Sequence, residues 1–140
     1  MNDKVFVDTN VLVYAHDKNG GYKQDVAKAI LRDLWDRSFG ALSMQVLQEF
    51  YSTVTRRVAT PLPRESARVI VSQYILWCIE TTPAEISHAF RIEDEARIGF
   101  WDAMIVAAAI KAGATRILSE DLSHGQTIAG VKIENPFAAS

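Results

Sequence analysis

The sequence predicts an α/β fold with a mainly parallel central sheet flanked by helices. Three observations carry this. Short apolar strand-like runs alternate with amphipathic helical stretches, which is the pattern of a parallel sheet with crossover helices. The first such run, Val5-Phe6-Val7, is apolar without alternation, as a strand buried on both faces should be. A segment late in the chain, Trp101–Ala112, is apolar nearly all round apart from Asp102 and Lys111, so it belongs in a core. The 140 residues form about one domain, taken as residues 1–140. A chain of this size buries enough surface to fold without staples.

Taken in order, Val5–Val7 is the first strand, and a short helix begins near Asn10. Tyr22–Arg37 places Val26, Ala27, Ile30, Leu31 and Leu34 at helical spacing. Gly40–Ser43 is a second short strand. Gln45–Val58 follows as a helix, with Leu47, Phe50, Tyr51, Val54 and Val58 on one face. Glu49 lies on the other face, beside Gln45, Ser52 and Arg56. Thr60-Pro61-Leu62-Pro63 is an inter-helix connection, Glu65–Trp77 a further helix and Cys78–Thr81 a third strand. Thr82-Pro83-Ala84-Glu85 is a helix start: a capping hydroxyl, proline at the first helical position and a glutamate to complete a capping box. That helix should run to about Arg97, with Gly99 as its breaker. Gly113 ends the helix Trp101–Ala112. Arg116–Leu118 and Val131–Ile133 are the last strands.

Composition narrows the function classes. Cys78 is the only cysteine, so neither an intrachain disulfide nor a multi-cysteine zinc site is available. Within Tyr74–Ile79 it reads as a small buried hydrophobe. No signal pattern or membrane-length apolar run is present, so a cytoplasmic location is the expectation. The net charge of -2 and a sequence pI of about 5.9 run against a general nucleic-acid binder. A bound cation would reverse the local sign where acids converge.

Four acids stand where a parallel fold brings residues together. Asp8 follows the first strand, and ligands in open α/β sheets bind beyond the carboxyl ends of strands; taken alone it serves equally well as a helix cap. Glu49 taken alone is a solvated side chain. Asp102 interrupts an apolar helix, which is costly for an unpaired carboxylate, although a helix N-terminus favours it. Asp121, in Ser119-Glu120-Asp121-Leu122, also fits turn chemistry before Gly125. Together the four make a carboxylate cage suited to a hard divalent cation. Glu93-Asp94-Glu95 is a solvated face. His16, His88 and His124 have no metal-ligand spacing and read as surface or structural residues.

Val7-Asp8-Thr9-Asn10-Val11-Leu12-Val13-Tyr14, Gln48-Glu49-Phe50, Phe100–Ala109 around Asp102, and Leu118-Ser119-Glu120-Asp121 together resemble the PIN domain, and most closely the VapC-type ribonuclease toxins of bacterial toxin–antitoxin pairs. The resemblance spans essentially the whole chain. It implies a PIN-like three-layer fold and a ribonuclease dependent on Mg²⁺ or Mn²⁺, which cleaves RNA phosphodiester bonds with a metal-activated water. It assigns Asp8, Glu49, Asp102 and Asp121 to the metal, with Asn10 and Ser119 as polar helpers. Between the neighbours Glu120 and Asp121, Asp121 is the expected ligand. The resemblance also implies a homodimer and a small cognate antitoxin that blocks the site. Arg56, Arg57, Lys18 and Lys23 are candidate contacts to the RNA backbone, and equally ordinary surface charges. The alternatives are a PIN-type RNA-processing nuclease, a silent interaction module, and a phosphatase with Asp8 as nucleophile. The last lacks the second aspartate, since Asn10 stands at that place.

Overall fold

The computed structural model describes residues 3–122 and 124–138. Among these residues, six strands form one sheet: β1 (Lys4–Val7), β2 (Gly40–Ser43), β3 (Cys78–Ile79), β4 (Ala114–Leu118), β5 (Thr127–Ile128) and β6 (Val131–Glu134). Their order is β3-β2-β1-β4-β6-β5. Every pairing is parallel except the β5/β6 hairpin. β1 and β2 are buried almost throughout, which accounts for their unbroken apolar runs.

Among the described residues, six helices flank the sheet: α1 (Thr9–Ala15), α2 (Tyr22–Arg37), α3 (Met44–Arg56), α4 (Arg64–Tyr74), α5 (Pro83–Ala96) and α6 (Phe100–Lys111). They pack as two groups. One links α1 with α2 and α3, and α3 with α4; the other is the α5/α6 pair. The core fills the space between, with Phe6, Leu12, Leu42, Phe50, Val106 and Ile117 fully buried. α6 is the deepest helix: Ala103 and Ile105 through Ala109 are all buried. Its small side chains let it lie close against β4 and β2.

Several expectations shift. The helix predicted to reach Trp77 ends at Tyr74 and tightens into a 3₁₀ turn over Ile75–Trp77. That turn lays the Trp77 ring across β2, where a Cβ on Gly40 would meet ring atoms at 2.6 Å. Only glycine permits this approach. The Thr82/Glu85 capping box is present as predicted, but Arg97, not Gly99, closes α5, in a left-handed conformation with φ 57°. Gly99 instead precedes α6 as its N-cap. Trp101, predicted inside the apolar helix, is 67% exposed. Cys78 is half-buried rather than buried. β5, a two-residue strand, went unread because so short an edge leaves no periodicity. Among the described residues, no helix is long and apolar enough to cross a membrane.

Candidate functional site

The chain runs β1, β2, β3 outward on one side, then returns to place β4 on the other side of β1. The β1/β4 junction is therefore the topological switch point, where the ends of two parallel strands leave a crevice. Val7 pairs with Leu118, so Asp8 and Ser119 leave the sheet side by side. The Asp8 N–H donates to the Leu118 carbonyl at 3.0 Å, and the Ser119 N–H donates to the Glu134 carbonyl at 3.0 Å. Backbone register, not side-chain chance, brings the two together.

Asp8 is 8% exposed. Of the two roles that the sequence leaves open, the capping one is formed. Asp8 caps α1 by accepting from the Thr9 N–H at 2.8 Å, and its other oxygen accepts from Ser119 Oγ at 2.7 Å. Asn10, one helical residue on, ties the two loops together. Its Nδ2 reaches Asp8 (3.4 Å), Ser119 Oγ (3.4 Å) and Asp121 Oδ2 (3.2 Å), and its Oδ1 accepts from the Glu120 N–H at 3.0 Å. Ser119 Oγ in turn accepts from the Asp121 and Leu122 N–H groups at 3.1 and 3.3 Å. The predicted helpers Asn10 and Ser119 thus shape the turn that carries Asp121.

Glu49 projects from α3 toward α1 and accepts from Thr9 Oγ1 at 3.2 Å and from Gln45 Nε2 at 3.3 Å. Gln45 also reaches the Trp101 carbonyl at 3.5 Å, joining α3 to the start of α6 beside Asp102. Asp102 sits half-buried in the first turn of α6, where unpaired N–H groups favour a negative charge. Thr9 and Gln45 were not singled out as site residues. Thr9 abuts Asp8, and Gln45 stands one helical turn before Glu49, the spacing at which side chains meet.

Asp8 and Asp102 each lie in the field of Asp121 and Glu49. Burial raises the Asp8 carboxyl to about 6; hydrogen bonds from Ser119 and Thr9 oppose this, while the charges of Asp121 and Glu49 add to it. Burial also raises Asp102, again reinforced by Asp121 and then Glu49. The four acids are not drawn tightly together: among the described residues, no three His, Cys, Asp or Glu side chains are grouped so as to hold a metal ion. The predicted cage is not closed in this structure. Its donor chemistry, all oxygen and mostly anionic, nevertheless fits a hard divalent cation.

The candidate phosphate contacts separate. Lys23 lies at the site's edge but is occupied by Glu120, with Nζ to Oε2 at 2.5 Å. Tyr14 OH donates to the other Glu120 oxygen at 2.7 Å. Arg57 lines a surface cleft of about 410 Å³ with Gln48, Glu49, Ser52 and Thr53. Arg56 and Lys18 are exposed. A larger cleft of about 510 Å³ lies between α2, β4 and β6, bordered by Leu34, Arg37, Arg116 and Lys132, and includes none of the four acids. His16 is structural, hydrogen-bonded to Tyr74 at 3.0 Å and packed edge-on against Phe50. Burial lowers its pKa to about 4, so it is neutral at physiological pH.

Three solved structures are similar in fold. VapC20 of Mycobacterium tuberculosis, described as a sarcin-ricin loop cleaving toxin, matches with a TM-score of 0.62 and 20% identity, over 84% of this chain and 90% of that one. FitAB bound to an IR36 DNA fragment matches with a TM-score of 0.68 and 17% identity, over 97% of each chain. VapBC2 of Rickettsia felis, bound to a DNA fragment from its promoter, matches with a TM-score of 0.65 and 20% identity, over 94% of this chain and 97% of that one. Curated protein sequences give no significant match. The sequence model of the PIN domain matches residues 5–127. That span contains β4, all but the first residue of β1, and all four acids, and on it the chain belongs to the PIN domain family.

Proposed function

We propose that this chain is an endoribonuclease dependent on Mg²⁺ or Mn²⁺, and the toxin of a toxin–antitoxin pair. The observation that carries the reading is that Asp8, beyond β1, and Asp102, at the start of α6, both respond to the charges of Asp121 and Glu49. These are the residues that would hold the metal. When bound, such an ion activates water and stabilises charge on a phosphate. The protein's own part is positional. Asp8 is fixed by Ser119 and by capping α1, Asp121 by Asn10, and Glu49 by Thr9 and Gln45. Four carboxylates alone would repel a polyanion, so a cation is also what lets RNA approach. The toxin reading draws support from VapC20, itself described as a toxin that cleaves the sarcin-ricin loop.

We further propose a homodimer and a cognate antitoxin that covers the acids by presenting Arg or Lys to them, since charge-assisted pairs with carboxylates are strong. The apolar residues Ile86, Phe90 and Trp101, all exposed on α5 and α6, support self-association.

The test is RNA cleavage with and without EDTA, by the parent chain and by Asp8→Asn and Asp102→Asn. Cleavage should stop in EDTA and return with Mg²⁺ or Mn²⁺. Each substitution should cost more than the roughly 10–100-fold typical of losing a partner that merely orients a ligand. Products should carry a 5′-phosphate and a 3′-hydroxyl. A 2′,3′-cyclic phosphate, or full activity in excess EDTA, rejects the reading.

A further inference from the structure

The chain offers two adjacent acids after β4, Glu120 and Asp121, and nothing in their order says which one serves the site. The geometry separates them. Both Glu120 carboxylate oxygens are occupied on the side of α1 and α2: Oε1 by Tyr14 OH at 2.7 Å, Oε2 by Lys23 Nζ at 2.5 Å. Lys23 also lies 3.4 Å from Tyr14 OH and 4.9 Å from the centre of its ring. Tyr14 is itself held edge-on against Phe137, ring centres 5.0 Å apart. One turn earlier on α1, Asn10 Oδ1 accepts from the Glu120 N–H at 3.0 Å. The same Asn10 reaches Asp121 Oδ2 at 3.2 Å through its Nδ2.

We infer that Lys23, Tyr14 and Glu120 form a latch that docks the β4 turn onto α1 and α2, and that Lys23 and Glu120 are positioning residues for Asp121. The inference rests on the metal reading above and deepens it. Residue 120 is held at its side chain by Tyr14 and Lys23 and at its N–H by Asn10. The same Asn10 Nδ2 that reaches Asp121 Oδ2 at 3.2 Å also reaches Asp8 Oδ2 at 3.4 Å, so fixing residue 120 keeps Asp121 beside Asp8. Lys23 is accordingly a partner for a carboxylate and not a clamp on the RNA backbone.

Mn²⁺ titration calorimetry on the full chain, paired with steady-state RNA cleavage, tests this. The variants are Asp8→Asn, Lys23→Met, Lys23→Arg, Glu120→Gln and the double variant Lys23→Met/Glu120→Gln. Lys23→Met should weaken Mn²⁺ binding roughly 10–100-fold, as loss of a ligand's supporting partner does. It should lower kcat while leaving KM for RNA within about twofold. Lys23→Arg should largely restore affinity. The double variant should be no weaker than Lys23→Met alone, because the two residues act as one unit. If Lys23→Met does not fold by circular dichroism, Glu120→Gln, which keeps the side chain's size and one acceptor oxygen, carries the same expectation at smaller magnitude.

Unchanged Mn²⁺ affinity in these variants overturns the latch. So does a raised KM with kcat and Mn²⁺ affinity intact, which would make Lys23 a phosphate contact. Tighter Mn²⁺ binding by Lys23→Met, together with its loss in Glu120→Gln, would make Glu120 itself the ligand and likewise overturns it. A parent chain that binds no Mn²⁺, or binds it as well after Asp8→Asn, fails the metal reading and takes the latch with it.

Discussion

Asp8 shows how one side chain couples fold and chemistry. Its ordinary pKa is 3.8 and burial, with the nearby acids, raises it to about 6. That difference favours the protonated form of the folded protein by on the order of 3 kcal/mol. Between the two values the native state binds more protons than the unfolded one, so metal-free stability falls as pH rises across this window. The contribution is fully present at pH values below the unfolded pKa and gone above the folded one. Asp8→Asn cannot lose a proton. In EDTA it should therefore melt above the parent near about pH 7, with the advantage shrinking toward about pH 4. Thermal melts of both chains across that range check this, and a constant difference would show that Asp8 carries no burden of charge. Asp8, Asp102 and Asp121 draw attention in the sequence because carboxylates after strands or on an apolar helix need a reason, whereas Glu49, a solvated side chain taken alone, joins the candidate set only in combination with them. Thr9, Gln45 and the Lys23–Glu120 pair were not legible there, because their partners lie on other elements and no local spacing encodes them.

At the scale of elements, α6 places an acid at the start of the deepest helix. Asp102 gains from the helix N-terminus and loses through burial and the charges of Asp121 and Glu49, with a raised pKa as the net result. Neutralising it should thus not weaken the metal-free protein. Asp102→Asn should melt no lower than the parent in EDTA and should gain less from added Mg²⁺, since binding to the native state is what stabilises it. A large loss of Tm in EDTA would make Asp102 chiefly structural. The helices were legible because periodicity and caps are local: α2 matches its predicted bounds and the Thr82/Glu85 box is formed. The misses sit where tertiary contact overrides the local pattern. Trp77 folds back onto Gly40 and tightens the end of α4 into a 3₁₀ turn. Arg97 accepts a left-handed conformation to end α5 before Gly99 is reached.

At the scale of the whole molecule, one exposed apolar surface lies on α5 and α6, where Phe100 bridges Phe90 and Trp101 at ring-centre distances of 5.7 and 5.2 Å. If it joins two copies, Phe90→Asp should convert a dimer to a monomer by light scattering while leaving the circular dichroism spectrum unchanged, because the side chain is half exposed in the single chain. A parent chain that is already monomeric would reject the dimer.

The acidic surface is the one an antitoxin would close. A nuclease that cuts cellular RNA should arrest growth when expressed alone, and Asp8→Asn should abolish the arrest at equal protein levels. Co-expression of the gene immediately upstream should restore growth if it encodes the antitoxin, and the two products should then co-purify. Raising salt should weaken that complex if Arg or Lys meets the four carboxylates, because the attraction is screened. Harmless expression of a chain shown to cleave RNA in vitro would leave the nuclease standing and assign it to RNA processing. The discriminating quantity is therefore growth per unit of active enzyme, measured beside the Asp8→Asn control.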